Sequence, residues 1–162
     1  MLSFLLICAT AILVVVDQIT KIWAIHGLHH ADRVIPIIEG VFELHYTENP
    51  GVAFSMLEGQ RWIFIPVTIV ACVAILIMML RSPLRVHRLF NIICVLILAG
   101  AIGNLIDRIV YGFVVDFLYF KLIDFPVFNV ADCYVTVSAF ILLFTLMFFI
   151  KEEELELVKF RK

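Results

Sequence analysis

Apolar residues run almost unbroken through four stretches of this chain, roughly Leu2–Ile25, Arg61–Leu80, Leu89–Val110 and Ala131–Ile150. Each is close to the roughly 20 residues that cross a bilayer as a helix, so the pattern predicts four transmembrane helices. Between the first two, the period changes. In Val41–Thr47 the residues Phe42, Leu44 and Tyr46 alternate with polar neighbours, which predicts a half-buried strand in a short sheet lying on the membrane. The connection from Tyr111 to Val130 carries Phe113, Phe117, Tyr119, Phe120, Phe125 and Phe128. It reads as a partly extended, aromatic-rich segment suited to the headgroup interface, where its rings would shield a site from bulk water.

Composition turns this pattern into a class. Hydrophobic residues make up 64%, mean hydropathy is +1.10 and charged residues are only 16%, far from a soluble domain. The chain reads as one integral membrane domain over residues 1–162, mainly α-helical. The first apolar run lacks a basic leader and carries Asp17 and Lys21 where a small-residue cleavage site would lie, so it is expected to be a retained helix. Arg81, Arg85 and Arg88 cluster between the second and third spans, and Lys151, Lys159, Arg161 and Lys162 in the tail, whereas residues 27–60 offer only Arg33. The bias of basic residues toward the cytoplasm then places both termini inside and the segments 27–60 and 111–130 outside. The net charge of -2 says little about partners for a chain embedded in lipid, and no nucleic-acid partner is expected.

Topology gathers the ionisable residues. Asp17 and Lys21 fall in the outer half of the first span, one helical turn apart and able to pair. Asn104, Asp107 and Arg108 end the third span, Asp116 follows, and Asn129 and Asp132 begin the fourth. Four parts of the chain thus deliver polar groups to one membrane face, and such groups usually mark function. Structural readings exist for each. Asn129 with Asp132 three residues on is the pattern of a capped helix start, Asp107 and Arg108 suit interfacial anchors, and Asp17 with Lys21 suits a pair that lowers the cost of insertion. Asp116, between Val114-Val115 and Phe117-Leu118, has no evident local capping role. The inner halves of the spans hold few polar groups, so a transporter, which needs stepping stones across the bilayer, is disfavoured. A scaffold would tolerate loss of Asp116 without loss of a chemical activity.

Two carboxylates converging in a poorly hydrated place share one proton, because both cannot ionise comfortably. One is then a base toward a water and the other an acid toward an amide carbonyl. This is aspartic peptidase logic, with Asp116 and Asp132 as the dyad and no cofactor or metal required.

The ordered blocks Asp17-Gln18-Ile19-Thr20-Lys21, Asn49-Pro50-Gly51-Val52-Ala53-Phe54-Ser55, Gly103-Asn104-Leu105-Ile106-Asp107-Arg108, Val114-Val115-Asp116-Phe117 and Phe128-Asn129-Val130-Ala131-Asp132 resemble those of bacterial lipoprotein signal peptidases, the signal peptidase II family. The resemblance covers nearly the whole chain. It implies an aspartic endopeptidase of the bacterial plasma membrane that removes signal peptides from prolipoproteins, cutting before the diacylglyceryl-modified cysteine. Carried over position by position, it implies catalytic roles for Asp116 and Asp132, and substrate-binding roles for Asn49, Gly51, Asn104, Arg108 and Asn129. Asp17 and Lys21 take a supporting role, and Asp107 is expected to be structural, orienting Arg108 or tying the helix end. The resemblance also implies a small outer sheet with a short helix across the site. Expected partners are lipid-modified precursors and membrane lipid, with the chain acting as a monomer. The intramembrane peptidases of the presenilin kind share the chemistry, but their Gly-x-Gly-Asp element is missing.

Weaker constellations remain. His26, His29 and His30, with Asp32 nearby, have metal-ligand spacing if helical, yet interfacial polar residues are common just past a span. Cys8, Cys72, Cys94 and Cys133 lack paired spacing and read as free thiols. Cys133 has no nearby histidine in sequence to make it a nucleophile.

Overall fold

The computed structural model describes residues 2–29, 33–51, 61–81 and 88–148. Among these residues there are four α-helices: α1 (Leu2–Ala24), α2 (Arg61–Arg81), α3 (Arg88–Val110) and α4 (Val130–Phe148). They match the four apolar runs to within one or two residues over the described chain, which is the ordinary uncertainty of helix ends. Three of them are long and apolar enough to cross a membrane, while α4 is apolar but shorter over its described length. Their exposed faces carry large apolar side chains such as Phe4, Ile12, Val70 and Phe140. In water such a surface would be untenable, and in lipid it is the expected exterior.

Helix α3 is the hub, packing against α1, α2 and α4. Where α3 meets α4 the backbones come close, because Gly100 and Gly103 present no side chain, a packing device typical of membrane helices. On the other side, Met79, Cys94, Val95 and Leu98 form a buried apolar cluster between α2 and α3, with Leu6, Ala9 and Leu13 of α1 against it.

A three-stranded antiparallel sheet caps one end of the bundle in the order β1 (Val34–Ile38), β2 (Phe42–Asn49), β3 (Val114–Tyr119). Strand β2 includes the segment whose alternation predicted it. Strand β1 is apolar at every position and therefore has no period to read. Its turn into β2 uses Gly40 at φ 72°, and the step from α3 into β3 uses Gly112 at φ 86°, just past the helix end where a left-handed residue closes the last turn. Beneath the sheet, Ala24, Leu28, Val115 and Phe117 form a second buried cluster that ties α1 to β3. Helix α1 does not stop at Ala24 but continues as a π-helical turn over Ile25–His29. As for a short outer helix, the described residues outside the bundle hold only that turn and a three-residue 3-10 turn, Lys121–Ile123, and residues 52–60 lie outside the described part.

Candidate active site

Strand β3 carries Asp116 in register with Thr47 of β2, and two positions further along Asn49 pairs with Val114. That diagonal lets the Asn49 amide Nδ2 donate to Asp116 Oδ2 at 2.9 Å. The other carboxyl oxygen accepts from Asn129 Nδ2 at 2.6 Å. Asp116 is 1% exposed. Burial pushes its carboxyl up to about 7, with hydrogen bonds from Asn49 and Asn129 working against the shift and the neighbouring charge of Asp132 adding to it.

Asp132 comes from the first turn of α4. Asn129 Oδ1 accepts from the Asp132 backbone N–H at 2.9 Å, and Asp132 Oδ2 accepts from the Asn129 backbone N–H at 3.2 Å. This reciprocal pair is a capping box. The helix-start reading of these two residues and their place in a site therefore hold together. The remaining Asp132 oxygen, Oδ1, accepts from Asn104 Nδ2 at 2.8 Å. Asn129 is fully buried and joins the two halves, since its Nδ2 also reaches Asn104 Oδ1 at 3.1 Å.

Behind these groups lies a buried ionic network. Lys21 Nζ sits 3.0 Å from Asp17 Oδ2 and 2.9 Å from Asp107 Oδ2, and it donates to Asn104 Oδ1 at 2.8 Å. All three charged side chains are at most 2% exposed. Gln18 Nε2 donates to Asp107 Oδ1 at 3.0 Å and to the Gly103 carbonyl at 3.1 Å. Such a cluster is tolerable away from water only because every buried side-chain nitrogen and oxygen among the described residues has a partner.

The expected site residues thus converge. Arg108 donates to the Gly51 carbonyl at 3.2 Å, and Gly51 N–H donates to Asn49 Oδ1 at 3.1 Å, so the end of β2 is tied to the end of α3. Arg108 also lies over the Phe64 ring at 5.9 Å, a cation–π contact. Asp107 reaches α1 through Lys21 and Gln18, and β3 through the Val115 N–H; the contacts it makes tie the helix end. Gln18 stands in the first motif block without a role of its own, although a polar amide beside Asp17 in an apolar run is a signal of the same kind. Gly103 was likewise passed over, and the reason for it is visible only in space: a Cβ there would stand 2.5 Å from Asp17 Oδ2. The histidines fall elsewhere. His29 stacks on Tyr46 at 4.5 Å, while His30 and Asp32 lie outside the described residues. Among the described residues no group of three or more potential metal ligands gathers.

Asp116 and Asp132 both line a cavity of about 690 Å³. Asn49, Asn104, Arg108 and Thr136 add polar groups, and the rest of the lining is mostly apolar, with Phe120, Phe125 and Phe128 and, from α4, Val135 and Val137. The rings pack in series, Phe42 tilted against Phe120 at 4.9 Å and Phe120 stacked on Phe128 at 5.7 Å. A polar floor under apolar walls suits an amphiphilic ligand with a backbone to bind and a greasy part to shelter.

Comparisons with known proteins point to one family. The family model for signal peptidase (SPase) II matches residues 9–148. A lipoprotein signal peptidase of Clostridioides difficile (strain 630) is 42% identical over 138 residues, 85% of this chain and 91% of the relative. One of Symbiobacterium thermophilum is 47% identical over 127 residues, 77% of this chain and 82% of the relative. Among solved structures, a bacterial membrane enzyme determined by the in meso method at 2.3 Å superposes with a TM-score of 0.78 at 25% identity, covering 97% of this chain and 93% of the other.

Proposed function

The chain belongs to the signal peptidase II family, and from that premise we propose that it removes signal peptides from prolipoproteins with Asp116 and Asp132 as its catalytic pair. The observation that carries the proposal is the meeting of these two carboxyls, from separate elements, in the floor of one apolar-walled cavity. Their environments differ. Asp116 is buried and keeps its proton up to about pH 7, so it is the acid. Asp132 is only half-buried, lines the cavity and accepts N–H bonds at both oxygens, so with Asp116 as the acid it is the partner that receives the proton of the water.

In the reaction, a water between the two carboxyls gives a proton to Asp132 as its oxygen bonds to the scissile carbonyl carbon. Asp116 hydrogen-bonds the carbonyl oxygen as it gains negative charge. Collapse of the tetrahedral species breaks the C–N bond while a carboxyl proton passes to the leaving amine. Asn49 and Asn104 orient the pair and, because they line the cavity, also meet the extended substrate backbone. Asn129 acts through the dyad, and Arg108 with Gly51 holds the end of β2 in place. The substrate is a precursor whose cysteine carries a diacylglyceryl group, and the cut falls just before that cysteine. The apolar walls shelter acyl chain and signal helix, and the bond lies near the outer headgroups because the acyl chains anchor it there. In this reading the chain is a plasma-membrane protein with four spans in one domain, both termini cytoplasmic and the site at the outer leaflet, and it acts as a monomer.

Cleavage of a diacylglyceryl-modified prolipoprotein by the purified protein in detergent tests this. Wild type should cut before the modified cysteine with or without a chelator, and Asp116→Asn and Asp132→Asn should each lose about 10³-fold or more in kcat while remaining folded. Appreciable turnover by either folded variant would remove that residue from the dyad, and equal processing of an unlipidated precursor would remove the acyl chain from recognition.

A further inference from the structure

The contacts of the Asp17–Lys21–Asp107 network on its far side have a regularity that insertion into a membrane does not require. Asp17 Oδ2 faces Lys21, but its Oδ1 accepts the backbone N–H of Ala131 at 2.9 Å. Asp107 Oδ2 faces Lys21 and also accepts the backbone N–H of Val115 at 3.1 Å. Ala131 and Val115 are the residues that immediately precede Asp132 and Asp116. Each acid of the network therefore grips the main chain one residue before one carboxyl of the pair. Lys21 stands between the two acids and holds a third lead, Asn104 Oδ1. With that oxygen taken by Lys21 and Asn129, only the NH₂ end of Asn104 remains to face Asp132 Oδ1.

We infer that Asp17, Lys21 and Asp107 are positioning residues that set the separation and orientation of the two catalytic carboxyls by pinning the backbone ahead of each, an inference that rests on the dyad reading above. The physical case is one of stiffness. Strand β3 and helix α4 belong to different elements, and the described hydrogen bonds that join them elsewhere are those at Phe128 and the Asn129 amide. A neutral pair of hydrogen bonds would leave their spacing soft. A lysine between two buried carboxylates makes charge-assisted contacts in a poor dielectric, and so couples both pins into one rigid piece. Gln18 braces it from the side at Asp107 Oδ1 and Gly103. Reacting groups misplaced by about 1 Å can lose about 10²-fold in rate, so such a brace acts on kcat and leaves the cavity's affinity for substrate largely alone.

The test compares shape-conserving and pin-removing variants of the full-length protein in detergent. An asparagine at either position keeps an oxygen to accept the backbone N–H, whereas leucine keeps the bulk and accepts nothing. Asp17→Asn and Asp107→Asn, which can still accept the backbone N–H but lose the charge that faces Lys21, are expected to lose about tenfold in kcat, while Asp17→Leu and Asp107→Leu lose about 10²-fold in kcat with KM changed less than threefold, per folded molecule counted by size exclusion and thermal midpoint. Leucine variants with wild-type kcat per folded molecule would overturn the inference, as would asparagine variants that fall as far as leucine, which would make charge and not the pin decisive. If a leucine variant does not assemble, Gln18→Leu replaces it, since the ionic network keeps its charges. A kcat loss of threefold or more at unchanged KM is expected there, and unchanged kcat overturns the inference. Asp116→Asn and Asp132→Asn run in parallel: activity in those would sink the dyad reading itself, a different failure from active pin variants beside inactive dyad variants.

Discussion

A carboxyl that is 1% exposed within an apolar strand, with a second carboxyl nearby, keeps its proton further up the pH scale than one in water. For Asp116 this has two measurable consequences. Because the protonated form is the one that hydrogen-bonds the developing oxyanion, kcat should hold at slightly acidic pH and fall about tenfold per pH unit above an apparent value near 7. A rate profile over pH 5–9 checks this, and a flat alkaline side would contradict the acid role of Asp116. The second consequence is for stability. Between about pH 4 and 7 the native state binds a proton at Asp116 that the unfolded chain has released, so the contribution of this residue to stability declines as pH rises through that window. Asp116→Asn cannot titrate. Its thermal midpoint should therefore gain on that of wild type between pH 5 and pH 8, and parallel curves would show that the carboxyl is not held protonated.

Helices α3 and α4 meet through glycine, and the two glycines at the contact do different things. A Cβ at Gly100 would stand 2.5 Å from the Ala131 carbonyl oxygen and 2.7 Å from Val135 Cγ2. The first of these is backbone that cannot step aside, so Gly100→Ala must force the helices apart. At Gly103 the obstacle is Asp17 Oδ2 at 2.5 Å, with Ala131 Cβ at 3.3 Å, so the methyl group pushes on the ionic network. Overpacking of this kind typically costs about 1–3 kcal/mol. Thermal unfolding in detergent should show a lower midpoint for both variants, and Gly103→Ala should in addition lose about tenfold or more in kcat because it moves a carboxylate that grips Ala131. Wild-type behaviour of Gly103→Ala would mean that Asp17 can shift without consequence. The start of α4 carries two roles in the same atoms, since the capping box that opens the helix also aims Asp132.

For the molecule as a whole, the sheet sits at one end of a bundle whose lateral surface is apolar, and Arg81 and Arg88 border the connection between α2 and α3. The distribution of basic residues predicts which end faces the cytoplasm. Single cysteines introduced at Glu39, in the exposed turn of the β1–β2 hairpin, and at Ser82, in the basic connection, into a chain freed of Cys8, Cys72, Cys94 and Cys133 would report it. A membrane-impermeant thiol reagent applied to intact cells should label E39C, and should label S82C only after permeabilisation. The reverse pattern would put the site at the cytoplasmic face and overturn the proposed encounter with a translocated precursor.

The helices and β2 were legible in the chain because lipid and a half-buried sheet each impose a period or an unbroken apolar run that residues cannot hide. The polar residues of the site were legible too, since charge among apolar neighbours is costly enough to stand out one residue at a time. Strand β1 was not legible, as five apolar residues in a row show no alternation, and neither were Gln18 and Gly103, whose meaning lies in what stands opposite them. Sequence by itself determined the class of protein, the apolar helices of the described chain and the charged residues proposed for the site, while Asn49 and Gly51 came from the resemblance to a family. Only the tertiary structure decided which amide holds which carboxyl, that Asp17 and Asp107 reach past Lys21 to the backbone before Asp132 and Asp116, and that Asn129 caps a helix and bridges the pair at once. The physical reason is that burial cost is a property of a residue in its local run of sequence, whereas a hydrogen bond belongs to two groups, such as Asp17 and Ala131, which lie 114 positions apart and come to 2.9 Å only by packing.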